Sequence, residues 1–582
     1  MAIAKVNGLA KADIGKINGL AKADINKISG LTASFVQHAA IVTTSLDTSG
    51  DLYRPVMAYD THNDKLVVFY QSATSSTNVG KRRVGTVGAD GAVTWGAVAE
   101  FDAGTTSSSD NPRGIKPLFA CFDSAINKVA VGYNSAVASG NDTEYKAYVR
   151  YGAISGSGGS ATITMEPTSS SSGNSAGYWK GEGVERAQAV YHPVADRIII
   201  HTEHRDPDTN HSSTEPVVQL NRVRIYGNDA AVNDIDVSAF NGVFSGGSVT
   251  TDSFAWDSGA GNANSQYWIG ITYCASIDRM IYATSDDGSL TLRCARIGGG
   301  STITEDLDDS ETQIDVADGT QFQDGDLILL RDGGGSNNHE YLEVVSVSSN
   351  TLTVTERGLG GWNNYTHSNG DYIDNYTHTL GADCVEGFSD ADDIQVAWDE
   401  DNNKGVCIWT GNSDGHLRYH TFTVNTSTNA ITFADESATG DGSDGTFEST
   451  AACDSVNICY DESANHFVIV YRMSDKLYLR TAKFDGTTPN LLWGSSSGFA
   501  ATNDDADDRV LIYPPASGTG STDKVRSTQL TFSPANVQMQ KYPDATPGVL
   551  ACFWKTDSAD NNPEGMVTRL AALGTHYEQT AG

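Results

Sequence analysis

The sequence predicts an all-β protein built from repeated antiparallel units of roughly 50–80 residues. One observation is a pattern of an aromatic residue, a polar turn and a basic residue that recurs six times, with the two end residues six positions apart. Another is a composition of 59 Gly, 24 Tyr and 39% hydrophobic residues, which is typical of many short strands joined by turns. The pairs are Tyr59 and Lys65, Phe122 and Lys128, Tyr191 and Arg197, Tyr273 and Arg279, Trp398 and Lys404, and Tyr460 and His466.

Each copy of the pattern predicts four strands. The aromatic residue lies in the first strand, and a polar segment such as 61–64 has the residues that tight hairpins use. The second strand is an almost continuous apolar run, as expected for a strand buried on both faces. The third strand alternates, and turns such as Asp90-Gly91 and Asp485-Gly486 then lead to an outer fourth strand.

Four-stranded units repeated around an axis resemble the β-propeller family, which implies one blade for each unit. We expect about seven blades, with six or eight as alternatives and a linear β-solenoid as the structural rival. The propeller is predicted in two parts, over residues 36–302 and 379–582.

Residues 303–378 interrupt the propeller pattern. They contain E-Y-L-E-V at 340–344, N-T-L-T-V at 350–354, R-G-L-G-G at 357–361 and H-S-N-G-D at 367–371. This order of elements resembles a small β-barrel module of tailed-bacteriophage structural proteins. The segment departs from that module at W-N-N-Y, residues 362–365, where small residues are usual.

This departure predicts a ligand-binding surface on the inserted barrel. A flat aromatic ring can stack on a sugar ring, and short polar side chains can fix its hydroxyl groups. The alternative is that the aromatic residues cover the core of their own barrel. The predicted ligand-binding residues are Trp362, Asn363, Asn364, Tyr365 and Tyr372.

The N-terminal segment, residues 1–35, carries a second repeat with a period of 11 residues. K-V-N-G-L-A-K-A-D-I at 5–14 returns as K-I-N-G-L-A-K-A-D-I at 16–25 and begins again at 27. A Gly in each copy disfavours a helix by roughly 1 kcal/mol. The repeat resembles N-terminal attachment segments of phage virion proteins, which implies that residues 1–32 bind another virion protein; the alternative is an arm packed on its own propeller. The predicted anchoring residues are Val6, Leu9, Ile14, Ile17, Leu20, Ile25, Ile28 and Leu31.

Charge and hydropathy exclude several classes of function. With 38 basic and 73 acidic residues, the net charge of −35 argues against partners that are nucleic acids or anionic membranes. The sequence contains no stretch of about 18 apolar residues, so a membrane-spanning segment is not expected. The N-terminus has no uninterrupted apolar segment, so a secretory signal is not expected. The eight cysteines have no C-x-x-C spacing and are expected to be reduced and structural, as in a protein folded in a cytoplasm.

No catalytic residue and no cofactor are predicted. Asp399, Asp401 and Asn403 alternate as the oxygen ligands of a calcium loop do, but the Gly and the final Glu of such a loop are missing. A solvated turn is the expectation there, with calcium as the alternative. A phosphate-binding glycine loop with its lysine is not present in the sequence.

The resemblance of the N-terminal repeat and of residues 303–378 to phage structural modules, together with a propeller that has no recognisable catalytic residues, implies a virion appendage, such as a tail fibre or surface fibre, assembled in the host cytoplasm and present in several copies. It would present its propeller to a host cell-surface glycan or envelope protein and catalyse no reaction of its own. The alternatives are a polysaccharide depolymerase or sialidase-like hydrolase on the same propeller, and a purely architectural particle protein.

Overall fold

The computed structural model describes residues 51–513 with gaps, together with short strands near both ends of the chain. The end segments are 5–6, 9–10, 16–17, 20–21, 538–542, 549–555 and 563–569. The gaps are 74–77, 88–92, 103–114, 140–141, 167–177, 181–183, 206–213, 225–233, 236–252, 256–267, 287–288, 332–338, 359–363, 376–377, 387–390, 412–413, 435–444, 449–450, 462–464, 475, 485–490, 496–497 and 501–509.

The N-terminal repeat forms two β-hairpins. Strand β1 (Lys5–Val6) pairs with β2 (Leu9–Ala10), and β3 (Lys16–Ile17) pairs with β4 (Leu20–Ala21). The register is the same in both hairpins, with the lysine opposite the alanine. The first two 11-residue units therefore contain one hairpin each, and the sequence between the paired strands is Asn-Gly in both, a strong hairpin signal.

The first three repeat units each form an antiparallel sheet, which we call a blade. The first blade contains β5 (Asp51–Asp60), β6 (Lys65–Ala73), β7 (Asn78–Val87), β8 (Val93–Trp95) and β9 (Ala99–Asp102). The second contains β10 (Lys116–Asp123), β11 (Lys128–Ser139), β12 (Asp142–Ser155), β13 (Thr162–Met165) and β14 (Tyr178–Lys180). The third contains β15 (Val184–His192), β16 (Arg197–Arg205), β17 (Thr214–Arg224), β18 (Asp234–Ile235) and β19 (Ser253–Ala255).

The fourth blade is interrupted by the inserted barrel. Its strands are β20 (Ile269–Cys274), β21 (Arg279–Asp286) and β22 (Ser289–Ile297) before the barrel. The barrel contains β23 (Gly300–Thr302), β24 (Gln313–Asp315), β25 (Leu327–Arg331), β26 (His339–Ser348), β27 (Thr351–Val354) and β28 (Tyr372–Asn375). Strands β29 (His378–Leu380) and β30 (Cys384–Glu386) then complete the blade by pairing with β22.

The last three blades follow without further insertion. The fifth contains β31 (Ala391–Asp399), β32 (Lys404–Gly411), β33 (Leu417–Asn425), β34 (Ala430–Phe433) and β35 (Thr446–Glu448). The sixth contains β36 (Cys453–Asp461), β37 (His466–Met473), β38 (Lys476–Phe484), β39 (Leu491–Ser495), β40 (Gly498–Ala500) and β41 (Val510–Tyr513). The seventh contains β42 (Gln538–Tyr542), β43 (Val549–Lys555) and β44 (Pro563–Arg569). Short 3-10 turns occur at Gly158–Ser160, Ala275–Ile277 and Gly319–Gln321.

The first strands of the blades form a closed ring. Going round, β5, β10, β15, β20, β31, β36 and β42 each contact the next, and β42 contacts β5. A linear solenoid cannot bring its last repeat against its first, so the architecture is a β-propeller, as predicted. The described residues contribute seven sheets to this ring.

The outer edge of the blades differs from the predicted single fourth strand. In the first blade, β8 pairs with one end of β7 and β9 with the other, so the outer strand is broken in two. The same division of the outer edge occurs in the second to sixth blades. Hydrophobic cores lie between neighbouring blades; one combines Val67 and Phe69 with Val129 and Val131.

The inserted barrel has its own closed sheet and its own core. Its strands lie in the order β23, β28, β25, β26, β27 and β24. A bridge between Ile303 and Val316, with a 2.8 Å hydrogen bond from Thr304 N to Asp315 O, joins the first strand segment to the last. The interior is filled by aliphatic side chains, including Leu330 and Leu342.

Polar contacts seat the barrel on the third and fourth blades. Arg197 donates to the carbonyl oxygen of Asn375 at 2.5 Å, and the Asn375 amide donates to Asp326 Oδ2 at 2.5 Å. Arg296 lies 3.4 Å from the same Asp326 oxygen. These buried or half-buried groups hold the barrel at the end of the ring where the first strand of each blade turns into the second.

Within the described part of the chain, we find no helix long and apolar enough to cross a membrane. The cysteines whose side chains are described form no disulfide: Cys121, Cys274, Cys294, Cys384, Cys407, Cys453 and Cys459.

Candidate functional site at the strand-start end of the ring

The two ends of the ring differ in how many of their residues recur in all six copies of the repeat. At the turn end, where each first strand turns into the second, the residue before the basic position adopts a left-handed conformation with φ near +50°. Asn and Asp tolerate this conformation better than other non-glycine residues. The same feature recurs in six blades, so the turn end is architecture. The residues concerned are Asp64, Asn127, Asp196, Asp278, Asn403 and Asn465.

Buried carboxylates complete these turns. Asp399 Oδ1 accepts hydrogen bonds of 2.9 Å from the backbone N–H groups of Asp401 and Asn402. Asp60 and Asp123 accept comparable bonds in their own blades. The alternation of acids after Asp399 is thus explained by turn geometry. Among the described residues, no group of three or more His, Cys, Asp or Glu side chains could hold a metal ion.

The strand-start end, where the first strand of each blade begins, does not follow the repeat. Five positions before the aromatic residue, the six copies have no side chain that is common to all of them. Two copies carry arginine there, and the others carry proline, tryptophan, aspartate and serine. A propeller that repeats one element for stability is free to vary it where a ligand binds. This end is therefore the candidate functional site. The six residues are Arg54, Pro117, Arg186, Trp268, Asp393 and Ser455.

Three side chains from consecutive blades form a connected row at this end. The guanidinium carbon of Arg186 lies 3.8 Å from the centroid of the Trp268 ring, well within the range of a cation–π contact. The indole Nε1–H of Trp268 donates to Asp392 Oδ1 at 2.8 Å. Arg186 is 3% exposed, while Trp268 and Asp392 are half-buried. We call Arg186, Trp268 and Asp392 the cross-blade row.

The backbone around Trp268 is held from two sides. Trp268 N donates to Ser285 Oγ at 3.1 Å, and Ser285 N donates to Trp268 O at 3.0 Å. From the neighbouring blade, the Gln188 amide donates to Ile269 O at 2.8 Å. The position of the indole is therefore set before any ligand arrives.

His201 adds a further contact to the same strand. Its Nδ1 lies 3.0 Å from the carbonyl oxygen of Gly270. Complete burial lowers the pKa of His201 to about 4, so the ring is neutral at pH 7 and donates its Nδ1 proton to this carbonyl. The histidine supports the strand and does not serve as a proton donor to a ligand.

The backbone is irregular at two of the variable positions. Arg54 and Asp393 both have φ near +50°, in the left-handed region that is uncommon for residues other than glycine. Both lie at bulges in their first strands, and bulges often re-aim a side chain near functional sites. Asp393 uses its Oδ2 to accept a 2.6 Å hydrogen bond from Val456 N of the next blade. The row is thus tied to the following blade as well.

The predicted binding loop of the barrel has an ordered base. Arg357 forms two 2.7 Å hydrogen bonds to the buried Glu340 carboxylate and also donates to the carbonyl oxygen of Tyr365 at 2.7 Å. Gly358 N donates to Glu340 Oε1 at 2.8 Å, and His367 Nε2 lies 3.5 Å from Glu340 Oε2. Three short motifs of the module therefore meet in one buried polar cluster. Burial acts to raise the pKa of Glu340, but the hydrogen bonds outweigh it and lower this pKa below its usual value.

The predicted ligand-binding residues are only partly described. Trp362 and Asn363 lie outside the described residues. Asn364 is exposed and donates to Asp309 O at 3.1 Å, Tyr365 is half-buried, and Tyr372 on β28 is 36% exposed. Whether they bind a ligand stays a prediction.

The predicted anchoring residues divide in the same way. Val6, Leu9, Ile17 and Leu20 lie in the four short strands of the two hairpins. Ile14, Ile25, Ile28 and Leu31 lie outside the described residues, as do the turns at Asp90-Gly91 and Asp485-Gly486.

The sequence did not identify Arg186, Trp268 or Asp392 as site residues. A signal existed for Arg186 and Trp268, because they occupy the one position, five before the aromatic residue, where charge and size differ from blade to blade; Asp392 lies next to that position. The candidate site thus lies where the six copies differ from one another, not in the features that they share.

Similarity to known proteins is seen in structure and not in sequence. No known family model matches the sequence. No curated protein matches it either. Similar solved structures include Sqt1 from Chaetomium thermophilum, with 10% identity and a TM-score of 0.36 over 90% of this chain and 99% of that chain. The polysaccharide lyase Uly1 is 8% identical, with a TM-score of 0.39 over 89% and 90% of the two chains. The endosialidase of phage phi92 is 9% identical, with a TM-score of 0.32 over 64% and 52%.

One prediction is corrected by this comparison. Most of the similar structures are named as sialidases, glycoside hydrolases or polysaccharide lyases. The prediction that the chain catalyses no reaction of its own is therefore wrong and is withdrawn. These alignments assign no role to any residue of this chain.

Proposed function

We propose that the protein is a glycan-cleaving β-propeller of a phage virion, with its active site at the strand-start end of the ring. The observation that carries the proposal is the cross-blade row of Arg186, Trp268 and Asp392, placed where the repeat is abandoned. An aromatic ring beside a carboxylate suits a sugar, because the ring packs on its C–H face and the carboxylate accepts its hydroxyl protons.

Asp392 is the residue to which we assign the acid–base step. Glycosidic bonds are generally cleaved with the help of carboxyl groups that move protons to or from the reacting oxygens. The indole N–H of Trp268 donates to Asp392 Oδ1 at 2.8 Å and so fixes the orientation of the carboxylate. We assign the role of the base to Asp392 and the role of orienting it to Trp268.

The virion location rests on the N-terminal arm, residues 1–32. The arm carries five lysines against two aspartates, whereas the remainder has 33 basic and 71 acidic residues. A hairpin with two-residue strands is too small to be stable by itself in water. These features support an arm that gains its stability on another virion protein with an acidic surface, and several copies of the chain on each particle.

The barrel supports a second, separate contact with the host surface. It is seated at the turn end, opposite the cross-blade row, through Arg197, Arg296 and Asp326. Its loop, with Trp362, Asn363, Asn364 and Tyr365, would bind a host glycan or envelope protein while the other end cleaves. The matching experiment is a host-binding assay with the two aromatic residues of the loop replaced by alanine.

Incubation of the purified full-length protein with host surface polysaccharide tests the proposed activity. We expect shorter chains and new reducing ends, and at least a 100-fold lower rate for Asp392→Asn, in line with the loss of a general base. Asp401→Asn, at a turn of the same blade, is the matched control and should keep full activity. Saturable binding without cleavage, or neither binding nor cleavage, would contradict the proposal.

A further inference from the structure

Trp268 is the most firmly placed aromatic side chain of the strand-start end. Its backbone pairs with Ser285 in both directions, its indole N–H is bonded to Asp392, and Arg186 covers one ring face. Arg186 is almost completely buried, so its charge faces the indole and not the solvent. The ring also packs against the apolar core of the fourth and fifth blades, which includes Ala391 and Ile394, and only its remaining exposed part is left to contact a ligand.

A ring held in this way is suited to stacking. An aromatic platform loses little conformational entropy on binding when its orientation is already set. The hydrogen-bonded Asp392 stands at the edge of the indole, where it can accept a hydroxyl proton from a sugar stacked on the ring. The geometry thus offers an apolar surface and an anionic acceptor side by side.

We propose that Trp268 is the stacking platform for a pyranose ring of an uncharged saccharide, and that Arg186 is a positioning residue for this platform. The inference rests on the proposed function, whose substrate class it names. The charge of the chain decides between neutral and acidic sugars: a net charge of −35 repels polyanions, and Asp392 and Asp393 add carboxylates at the site itself. The arginine that could offset them is buried under the indole.

Binding measurements on the full-length protein test the inference without requiring cleavage. The probes are hexasaccharides of glucose, mannose and galactose as neutral ligands, and hexamers of guluronate and sialic acid as acidic ligands. We expect calorimetric binding of at least one neutral hexasaccharide and weaker binding, by about 10-fold or more, of both acidic ones. Preferential binding of an acidic hexamer, or binding of none of the five, would overturn the inference.

Substitutions then locate the platform. Trp268→Ala should weaken binding of the neutral ligand by about 10-fold or more, the range expected for loss of a stacked aromatic ring. Trp268→Phe keeps a ring and should stay within about 3-fold in affinity. The matched control is Trp95→Ala in the first blade, where Arg83 lies 5.6 Å from a half-buried indole away from the row. Equal affinity of the Trp268→Ala and Trp95→Ala proteins would overturn the assignment.

The role of Arg186 needs a readout that a general loss of stability would not change. Arg186→Lys keeps the cation and should bind the neutral hexasaccharide almost normally, whereas Arg186→Met should bind several-fold more weakly at an unchanged melting temperature. Cleavage is followed separately with Asp392→Asn. Binding that depends on Trp268 but is not followed by cleavage would refute the proposed activity and still support Trp268 as the platform. Cleavage that is unaffected by Trp268→Ala would support the activity and refute the platform.

Discussion

Single buried residues set the pH response of this protein. Asp123 lies at a turn between the first and second strands of its blade, where its Oδ1 accepts a 3.0 Å hydrogen bond from Ala125 N. Burial, and then the nearby charge of Asp196, raise the pKa of Asp123 to about 7. His192 and His201 respond in the opposite sense, because burial lowers the pKa of each to about 4.

The sign of the Asp123 effect follows from the direction of its shift. A carboxyl whose pKa is higher in the folded state favours folding while it is protonated, and this stabilisation is lost as the pH rises from about 4 to about 7. We expect Asp123→Asn, which keeps the acceptor oxygen, to raise the free energy of unfolding by roughly 1–3 kcal/mol at pH 8. Denaturant unfolding at pH 8 and pH 4 checks this. The gain should shrink toward pH 4; a gain equal at both pH values would contradict the assignment.

Burial of polar groups also explains the short motifs of the barrel. Arg357 and Glu340 are almost inaccessible to solvent and satisfy each other with two hydrogen bonds. Removing one partner of such a pair leaves a buried charge uncompensated, which is strongly destabilising. The motifs therefore join described residues on both sides of 359–363 and need no catalytic role.

At the scale of elements, the N-terminal hairpins are the proposed units of attachment. The first two 11-residue copies place the same pair of short strands in the same register. A repeated identical unit offers several equivalent contacts to a partner, so that affinity rises with the number of units engaged.

Substitution of the hairpin turns tests this element. Gly8→Val together with Gly19→Val should reduce incorporation into particles as strongly as deletion of residues 1–32, because a β-branched residue resists the positive φ that a two-residue Asn-Gly turn requires. Gly8→Asn with Gly19→Asn is the control, since Asn accepts that conformation. Normal incorporation of the valine variant would show that the hairpins are not the attachment units. The melting temperature should be the same for all three proteins.

At the scale of the whole molecule, the propeller depends on the closure of its ring. The seventh blade joins the end of the chain to its beginning, since β42 contacts both β36 and β5. Without it, the sixth and the first blades would each expose an apolar face that is otherwise covered by a neighbour.

Deletion of residues 538–582 tests the contribution of closure. We expect a broader thermal transition and a melting temperature lower by roughly 10 °C or more, because several kcal/mol of inter-blade burial are lost. Exposed strand edges should also promote aggregation. Scanning calorimetry with light scattering measures both effects, and deletion of residues 1–32 serves as the control that removes chain without opening the ring. An unchanged, sharp transition in the C-terminal truncation would mean that the ring does not depend on its last blade.

The sequence by itself determined the parts of this protein that depend on neighbours along the chain. Aromatic and basic residues six positions apart, with Asn or Asp before the basic residue, specify a hairpin whose turn needs a left-handed residue. The order of motifs in 303–378, through its resemblance to a small phage module, likewise predicted a separate barrel. Such features were predictable because strand pairing across a tight turn is local.

Only the tertiary structure decided the candidate site. Trp268 and Asp392 are 124 positions apart, yet they are joined by one hydrogen bond. Ring closure sets the first strands of consecutive blades side by side, and only then do residues that follow no shared motif meet at one end. The absence of a contiguous catalytic motif led to the incorrect prediction of a protein without a reaction, because a site shared among blades leaves no local pattern in the chain.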